Sequence, residues 1–261
     1  MVTMRRLGNS GRFGNQIFQY AYLRIFCKEY QCPEWMGQRL FGHKDPPVTV
    51  RLRTVREKQT DDINKSEVFG RDNIDVLGAF QYHTSCYPLR EQFRSLFRPV
   101  ESVVQEVGMQ ARMLRAGGHT LVGIHIRHGD FGASRRISRR WCFRAPTSWY
   151  LDWLKEHWEK LPEPMLLVAS DDIENVLPKF AAYGPVSILP GPDYAPYYAD
   201  FYALTQCDYL LISNSSFSFA ASMINERNPT CLRPRASAKG LIPYDPWNSY
   251  TVFTDERYDQ R

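Results

Sequence analysis

The run Val122-Gly123-Ile124-His125-Ile126 ends abruptly in Arg127-His128-Gly129-Asp130, an apolar stretch giving way to a cluster of ionisable side chains. Leu121, Val122, Ile124 and Ile126 read as a buried strand entered through Gly117-Gly118. Such a strand in an open α/β sheet presents ligand-binding groups just beyond its carboxyl end. Arg127 would be a fixed cation there. Its guanidinium is permanently charged and offers a planar fork of donors, which suits a phosphate oxygen or a carboxylate. These residues alone are equally consistent with a strand-end ion pair between Arg127 and Asp130.

Other clusters have similar chemistry. Gly8-Asn9-Ser10-Gly11-Arg12-Phe13-Gly14-Asn15-Gln16 precedes a helical pattern in which Ile17, Phe18, Ala21, Tyr22, Ile25 and Phe26 form one apolar face. A glycine-rich turn at a helix N-terminus directs backbone amides and the positive end of the helix dipole at one spot, where a phosphate or a polar sugar is favoured. Arg12 and Asn15 add side-chain donors beside Gly11 and Gly14. Asn214-Ser215-Ser216-Phe217-Ser218 lies between a strand and an apolar helix predicted from Phe219 to Ile224. An N-cap would use one of these serines and leaves the others for phosphate. Asp171-Asp172 suits either a cap for a helix beginning at Ile173 or an acceptor for a purine base or ribose. Asp200, near the start of another helix, suits its dipole. The run Arg135-Arg136-Ile137-Ser138-Arg139-Arg140 reads as a solvated face, or as a surface that steers an anion or engages an acceptor.

The elements that must position these groups alternate. Strands are predicted at 119–126, 165–169, 186–189 and 209–213, with helices at 147–158, 173–182 and 197–205, which argues for a doubly wound, mostly parallel sheet. Every polar cluster of this half follows a strand. The first half holds a short strand within 2–7, the glycine-rich turn and its helix. Irregular polar sequence with one helix at most is expected from 37 to 73, then a strand at 76–81, an amphipathic helix through Leu89, Phe93, Leu96 and Phe97, and a helical segment from Val100 to Leu114. The chain has 261 residues, 43% of them hydrophobic, enough for two compact units or one large α/β unit. Its 33 basic and 28 acidic side chains give +5, too mild to require nucleic acid and compatible with a small polyanion. Cys27, Cys32, Cys86, Cys142, Cys207 and Cys231 show no metal-like spacing and read as reduced core thiols. No apolar run reaches the roughly 18 residues that cross a bilayer. A cytoplasmic enzyme, peripheral at a membrane at most, is expected, with a trimmed ectodomain as the alternative.

The sequence lacks a G-x-x-x-x-G-K-[ST] phosphate loop, a G-x-S-x-G elbow, an H-E-x-x-H zinc helix and an Asp-x-Asp pair near the sheet, so a metal-independent site is favoured. Taken in order, the remaining motifs resemble those of the α1,2-fucosyltransferases and, more distantly, the α1,6- and protein O-fucosyltransferases. They are Gly11-Arg12-Phe13-Gly14-Asn15-Gln16-Ile17-Phe18-Gln19-Tyr20-Ala21, Gly78-Ala79-Phe80-Gln81, His125 to Asp130, Ser170 to Asp172 and Ser213 to Ser218. The resemblance implies a GT-B-like α/β fold of two Rossmann-type halves, 1–115 on the acceptor side and 116–261 binding GDP-fucose. It implies transfer of L-fucose to a glycan hydroxyl, with inversion and without a metal or other cofactor, the acceptor being galactose-terminated and the linkage α1,2. By the same resemblance Arg127 is the catalytic residue on the β-phosphate of the leaving GDP, and His125 touches the nucleotide backbone. Ser215, Ser216 and Phe217 take the phosphates; Arg12, Phe13, Gly14 and Asn15 line the fucose and pyrophosphate side; Asp171 or Asp172, with Asp200, contacts guanosine. One departure stands out: His128 occupies the position of the second Arg of an H-x-R-R-G-D motif, and the protein O-fucosyltransferases keep only the first. A fucosyltransferase of another linkage, or a nucleotide-sugar or glycan-binding protein without catalysis, is the alternative. A nucleic-acid binder using the arginine run would show steeply salt-dependent binding and no response to GDP.

Overall fold

Parallel strands need long crossovers, and among the described residues those that follow the strands Val2–Thr3, Thr120–Ile126, Pro164–Ser170 and Tyr209–Leu211 run through helices. The computed structural model describes residues 2–9, 11–29, 34–35, 51–57, 73–81, 89–99, 101–129, 144–186, 195–249 and 251. The chain divides into two compact units, Met1–Leu96 and Phe97–Arg261. The helix Glu101–Ala116, read from sequence with the first half, therefore goes with the second unit.

The first unit carries a parallel sheet of β1 (Val2–Thr3), β2 (Glu34–Trp35), β3 (Arg53–Arg56) and β4 (Ile74–Leu77), in the order β2-β1-β4-β3. β3 corrects the expectation of irregular structure between 37 and 73. Only Val55 of this strand is buried, and its arginines are exposed. Asp130, the arginine run, and Cys32, Cys86 and Cys142 lie outside the described residues. The helix Phe13–Glu29 buries Ile17, Phe18, Ala21, Leu23 and Ile25. The strand expected to reach Gln81 stops at Leu77, because Gly78 to Phe80 turn away and Phe80 takes a left-handed φ of 54°.

The second unit is built on β5 (Thr120–Ile126), β6 (Pro164–Ser170), β7 (Tyr209–Leu211), β8 (Thr230–Arg235) and β9 (Gly240–Pro243). Their order is β6-β5-β7-β8-β9, parallel except for β9 against β8. Val186 bridges Leu167 in parallel on the outer side of β6. The chain thus moves outward from β5 on one side, then returns to β7 on the other. Connections on either side of β5 and β7 diverge, leaving a crevice beyond their carboxyl ends. Helices Thr147–His157, Tyr197–Leu204 and Ser216–Ile224 agree closely with expectation, the last starting three residues early. The helix expected over 173–182 is one α turn, Ile173–Val176, followed by a 3-10 segment, Leu177–Tyr183. Pro178 lacks the amide an α turn would use, and its ring crowds the preceding turn. Val122, Ile124, Ile126, Leu166, Val168, Tyr150, Leu154 and Phe180 form the core of this unit.

Candidate active site

Ile126 pairs with Ser170 in the parallel register of β5 and β6, so the residues after both strands emerge side by side. Arg127 Nη1 lies 2.7 Å from Asp171 Oδ2, with both side chains largely buried. Asp171 Oδ1 accepts the His128 amide at 2.8 Å. A Cβ on Gly129 would collide with the same carboxylate, so a side chain at this position would displace it from Arg127. Arg127 is therefore ion-paired with Asp171, whereas the pairing with Asp130 that sequence suggested falls on a residue outside those described. Asp172 takes His128 instead: His128 Nδ1 is 2.8 Å from its Oδ2, and Asn175 Nδ2 donates to its Oδ1 at 2.6 Å. These hydrogen bonds, His128 first, hold the Asp172 carboxyl below the usual carboxylate range. Asp172 sits at the N-cap position, but its side chain makes no cap bond, which corrects the capping expectation. Arg144 Nη2 approaches His128 Nδ1 at 3.0 Å. That nitrogen donates to Asp172 when it bears a proton, and accepts from Arg144 when it does not.

His125, two residues before Arg127, is buried and points to the serine cluster. Its Nδ1 lies 2.8 Å from Ser218 Oγ and 2.9 Å from Ser213 Oγ. Burial pushes the imidazole pKa down to about 4, against the opposing pull of Asp171, so the ring is neutral at pH 7. The ring tilts against Phe217 at 5.1 Å, and Phe217 meets Phe201 edge-on at 5.3 Å. Phe217 thereby joins the Ser216–Ile224 and Tyr197–Leu204 helices near the end of β5. Ser215 is the N-cap of the first of these, its Oγ accepting the Phe217 amide at 3.4 Å. That accounts for one serine, as expected, and leaves Ser216 opening the helix. Asn214 points the other way, into β8. Asp200 lies in the first turn of Tyr197–Leu204, and burial raises its carboxyl to about 6.

In the first unit, Arg12 precedes the helix that starts at Phe13, so the glycine-rich turn does sit at a helix N-terminus. Gly11 has φ +80°, and a Cβ there would strike Asn15. Asn15 Oδ1 accepts from Gln81 Nε2 at 2.6 Å, and Gln19 Nε2 donates to the Gly78 carbonyl at 3.0 Å. The first two sequence motifs are therefore one structural feature. Glu57 completes it: its Oε2 accepts the Ala79 and Phe80 amides at 2.7 and 3.0 Å. Sequence reading missed Glu57, Arg144 and Arg233. Glu57 stands in polar sequence and Arg144 follows Trp141-Cys142-Phe143 outside any motif, so neither was singled out, whereas Arg233 in the apolar run Cys231 to Pro234 was a visible anomaly. Among the described residues no group of three or more His, Cys, Asp and Glu could hold a metal ion, and no helix is long and apolar enough to cross a membrane.

The pattern of these motifs is shared with known proteins. The family model described as glycosyl transferase family 11 matches residues 3–239. The chain belongs to this family. The chain is similar to galactoside α-(1,2)-fucosyltransferase 1 of Leontocebus fuscicollis, 27% identical over 236 residues that cover 82% of this chain and 63% of the relative. The Homo sapiens protein of the same name is 27% identical over 237 residues, covering 82% and 64%. This family 11 chain thus spans less than two thirds of the length of these relatives. Among solved structures it resembles NodZ α-1,6-fucosyltransferase soaked with GDP-fucose, with a TM-score of 0.58, 12% identity, and 95% and 99% of the two chains covered. A mutant of Arabidopsis thaliana FUT1 in complex with GDP gives 0.57 at 12% identity, covering 95% of this chain and 74% of that one. POFUT1 in complex with GDP gives 0.54 at 12%, covering 88% and 96%. The expected GT-B-like α/β fold is the fold of this family 11 member.

Proposed function

We propose that this chain transfers L-fucose from GDP-fucose to a hydroxyl of a glycan acceptor, inverting the anomeric centre without a metal and forming an α1,2 linkage to galactose. The observation that carries the reading is Arg127, a guanidinium fixed by Asp171 at the point where the β5 and β7 connections diverge. When the bond to GDP breaks, the sugar becomes oxocarbenium-like and negative charge grows on the β-phosphate oxygen. A cation already held in place stabilises that charge more in the transition state than in the ground state. The Ser216–Ile224 helix N-terminus adds amides, and Ser215 and Ser216 add hydroxyls, for the remaining phosphate oxygens. Neutral His125 orders Ser213 and Ser218 behind them. Asp200, close in sequence to the aromatic contact of Phe201 with Phe217, is the proposed guanosine acceptor. The names of the two fucosyltransferase relatives support fucose as the sugar and galactoside as the acceptor.

The test is incubation with labelled GDP-fucose and an acceptor array, followed by linkage analysis, with GDP-mannose as a donor control and EDTA in a parallel arm. Fucosylation of galactose-terminated acceptors at the 2-hydroxyl, undiminished by EDTA, is expected. Donor binding with no GDP released from any acceptor would reduce the chain to a nucleotide-sugar-binding protein.

A further inference from the structure

Arg233, on β8, is fully buried, and it is the feature of the second unit that the proposed chemistry leaves unused. Its guanidinium carbon lies 5.7 Å from the centre of the Phe219 ring and 5.4 Å from that of Tyr244. Nη2 donates to Asn214 Oδ1 at 3.0 Å and to the Thr251 carbonyl at 3.1 Å. Asn214 is itself buried, and its Nδ2 donates to the Pro234 carbonyl at 3.4 Å. Both ends of the Asn214 amide are therefore held by consecutive residues of β8. The next residues in the chain are Ser215, the N-cap, and Ser216, the first residue of the helix. Taking a guanidinium out of water is costly, and well-packed apolar replacements of buried charges are often neutral or stabilising, so stability alone does not explain an arginine at this position. What arginine adds is a planar donor fork that lies beside aromatic rings while one nitrogen serves two acceptors.

We infer that Arg233 is a positioning residue for the donor phosphates: through Asn214 it fixes the turn that presents Ser215, Ser216 and the first helical amides. The inference rests on the reading of this turn as the phosphate site. It separates phosphate recognition from base recognition, because Arg233 acts on the serine turn and not on Asp200. Affinity for GDP should then depend on Arg233, while affinity for guanosine should not.

The experiment is calorimetric binding of GDP and of guanosine to the full chain as wild type, Arg233→Lys, Arg233→Met and Asn214→Ala, each first checked for native near-UV circular dichroism. The Met variant is expected to weaken GDP by about tenfold or more, as for a lost charge-assisted hydrogen bond, with guanosine changed by less than about twofold, and Lys should fall between. A folded Arg233→Met that binds GDP like wild type, or loses GDP and guanosine in parallel, overturns the inference. If that variant does not fold, Asn214→Ala decides, because it cuts the same contact from the turn side: unchanged GDP affinity overturns the inference and selective loss of GDP affinity supports it. A wild type that does not bind GDP overturns the phosphate-site reading itself, and the inference with it.

Discussion

At the scale of single residues, Arg127 and Asp171 act as a pair, and their substitutions should not add. Arg127→Ala is expected to lower kcat by about 10²-fold or more, the loss typical of one oxyanion-type donor. Asp171→Asn keeps the size of the side chain and a carbonyl for the His128 amide but removes the charge that aims Arg127 at 2.7 Å. It should lower kcat by about tenfold, and in the Arg127→Ala background by almost nothing, since a positioning residue has no effect once its client is gone. Steady-state kinetics of the two single variants and the double variant test this, and additive losses would separate Asp171 from Arg127. Two buried groups give a second prediction, on pH. The Asp200 carboxyl ionises near 6 in the folded chain, against a reference of 3.8, so folding takes up a proton between these values and stability falls as pH rises from about 4 to about 6. His125 does the opposite: its folded value of about 4 lies below the reference of 6.5, so its contribution is complete above about 6.5 and is lost as pH falls towards 4. The wild-type profile blends the two, and single variants separate them. Asp200→Asn should be stabilised relative to wild type by about 3 kcal/mol at most at pH 7, with the difference vanishing near pH 4. His125→Gln should lose less stability than wild type on acidification from pH 6.5. Urea denaturation across pH 4 to 8 reads both, and a stability difference for Asp200→Asn that does not change with pH would remove the burial argument.

At the scale of elements, β5 carries both the core and the site, and its glycine shows how tightly the two are joined. A Cβ on Gly123 would meet Cys207 Sγ at 2.7 Å, Leu204 Cδ2 at 3.1 Å and Leu210 Cδ2 at 3.1 Å. Gly123→Ala should therefore cost about 1–3 kcal/mol of stability by overpacking, seen as a lower urea midpoint with an unchanged slope. Gly129→Ala, whose Cβ would strike Asp171, should instead leave the midpoint near wild type and lower kcat, because it displaces the carboxylate that holds Arg127. Reversal of these two phenotypes would mean that the strand and the turn after it are not separable in this way. The βα alternation of the second unit was legible in the sequence, because its strands are short apolar runs and its helices carry one apolar face. β3 was not: it is a strand with exposed arginines and a single buried Val55, and only pairing with β4 makes it one. The residue types of the site were also legible, as a cation, two aspartates and a serine cluster following separate strands. Their pairing was not, since the contact of Arg127 with Asp171 depends on the β5–β6 register, which no local pattern encodes. Glu57 was hidden for a related reason, as its role is to accept amides from a turn elsewhere in the chain.

At the scale of the molecule, each unit has its own buried cluster: Val2, Met4, Leu7, Leu23, Val55, Ile74, Val76 and Phe80 in the first, and the β5–β8 core in the second. Arg127, Ser215, Ser216 and Asp200, on which the proposed nucleotide and phosphate contacts rest, belong to Phe97–Arg261. A ligand stabilises the part of a protein that binds it by mass action, by about 2.7 kcal/mol when its concentration is a hundred times Kd. For a unit of this size that corresponds to a rise in melting temperature of roughly 5–10 °C. The tryptophans supply a built-in reporter, since Trp35 alone precedes Phe97 in the sequence while Trp141, Trp149, Trp153, Trp158 and Trp247 follow it. Thermal unfolding followed by tryptophan fluorescence should therefore move upward with GDP by the full amount. Hydrogen exchange should localise the change, with new protection at the amides from Ile126 to Gly129 and from Ser215 to Phe219, and little at the exposed turn before β9. Protection that rises only within Met1–Leu96, or a fluorescence transition that GDP does not move, would take the nucleotide away from the β5–β7 crevice and with it the proposed part of Arg127 in bond cleavage.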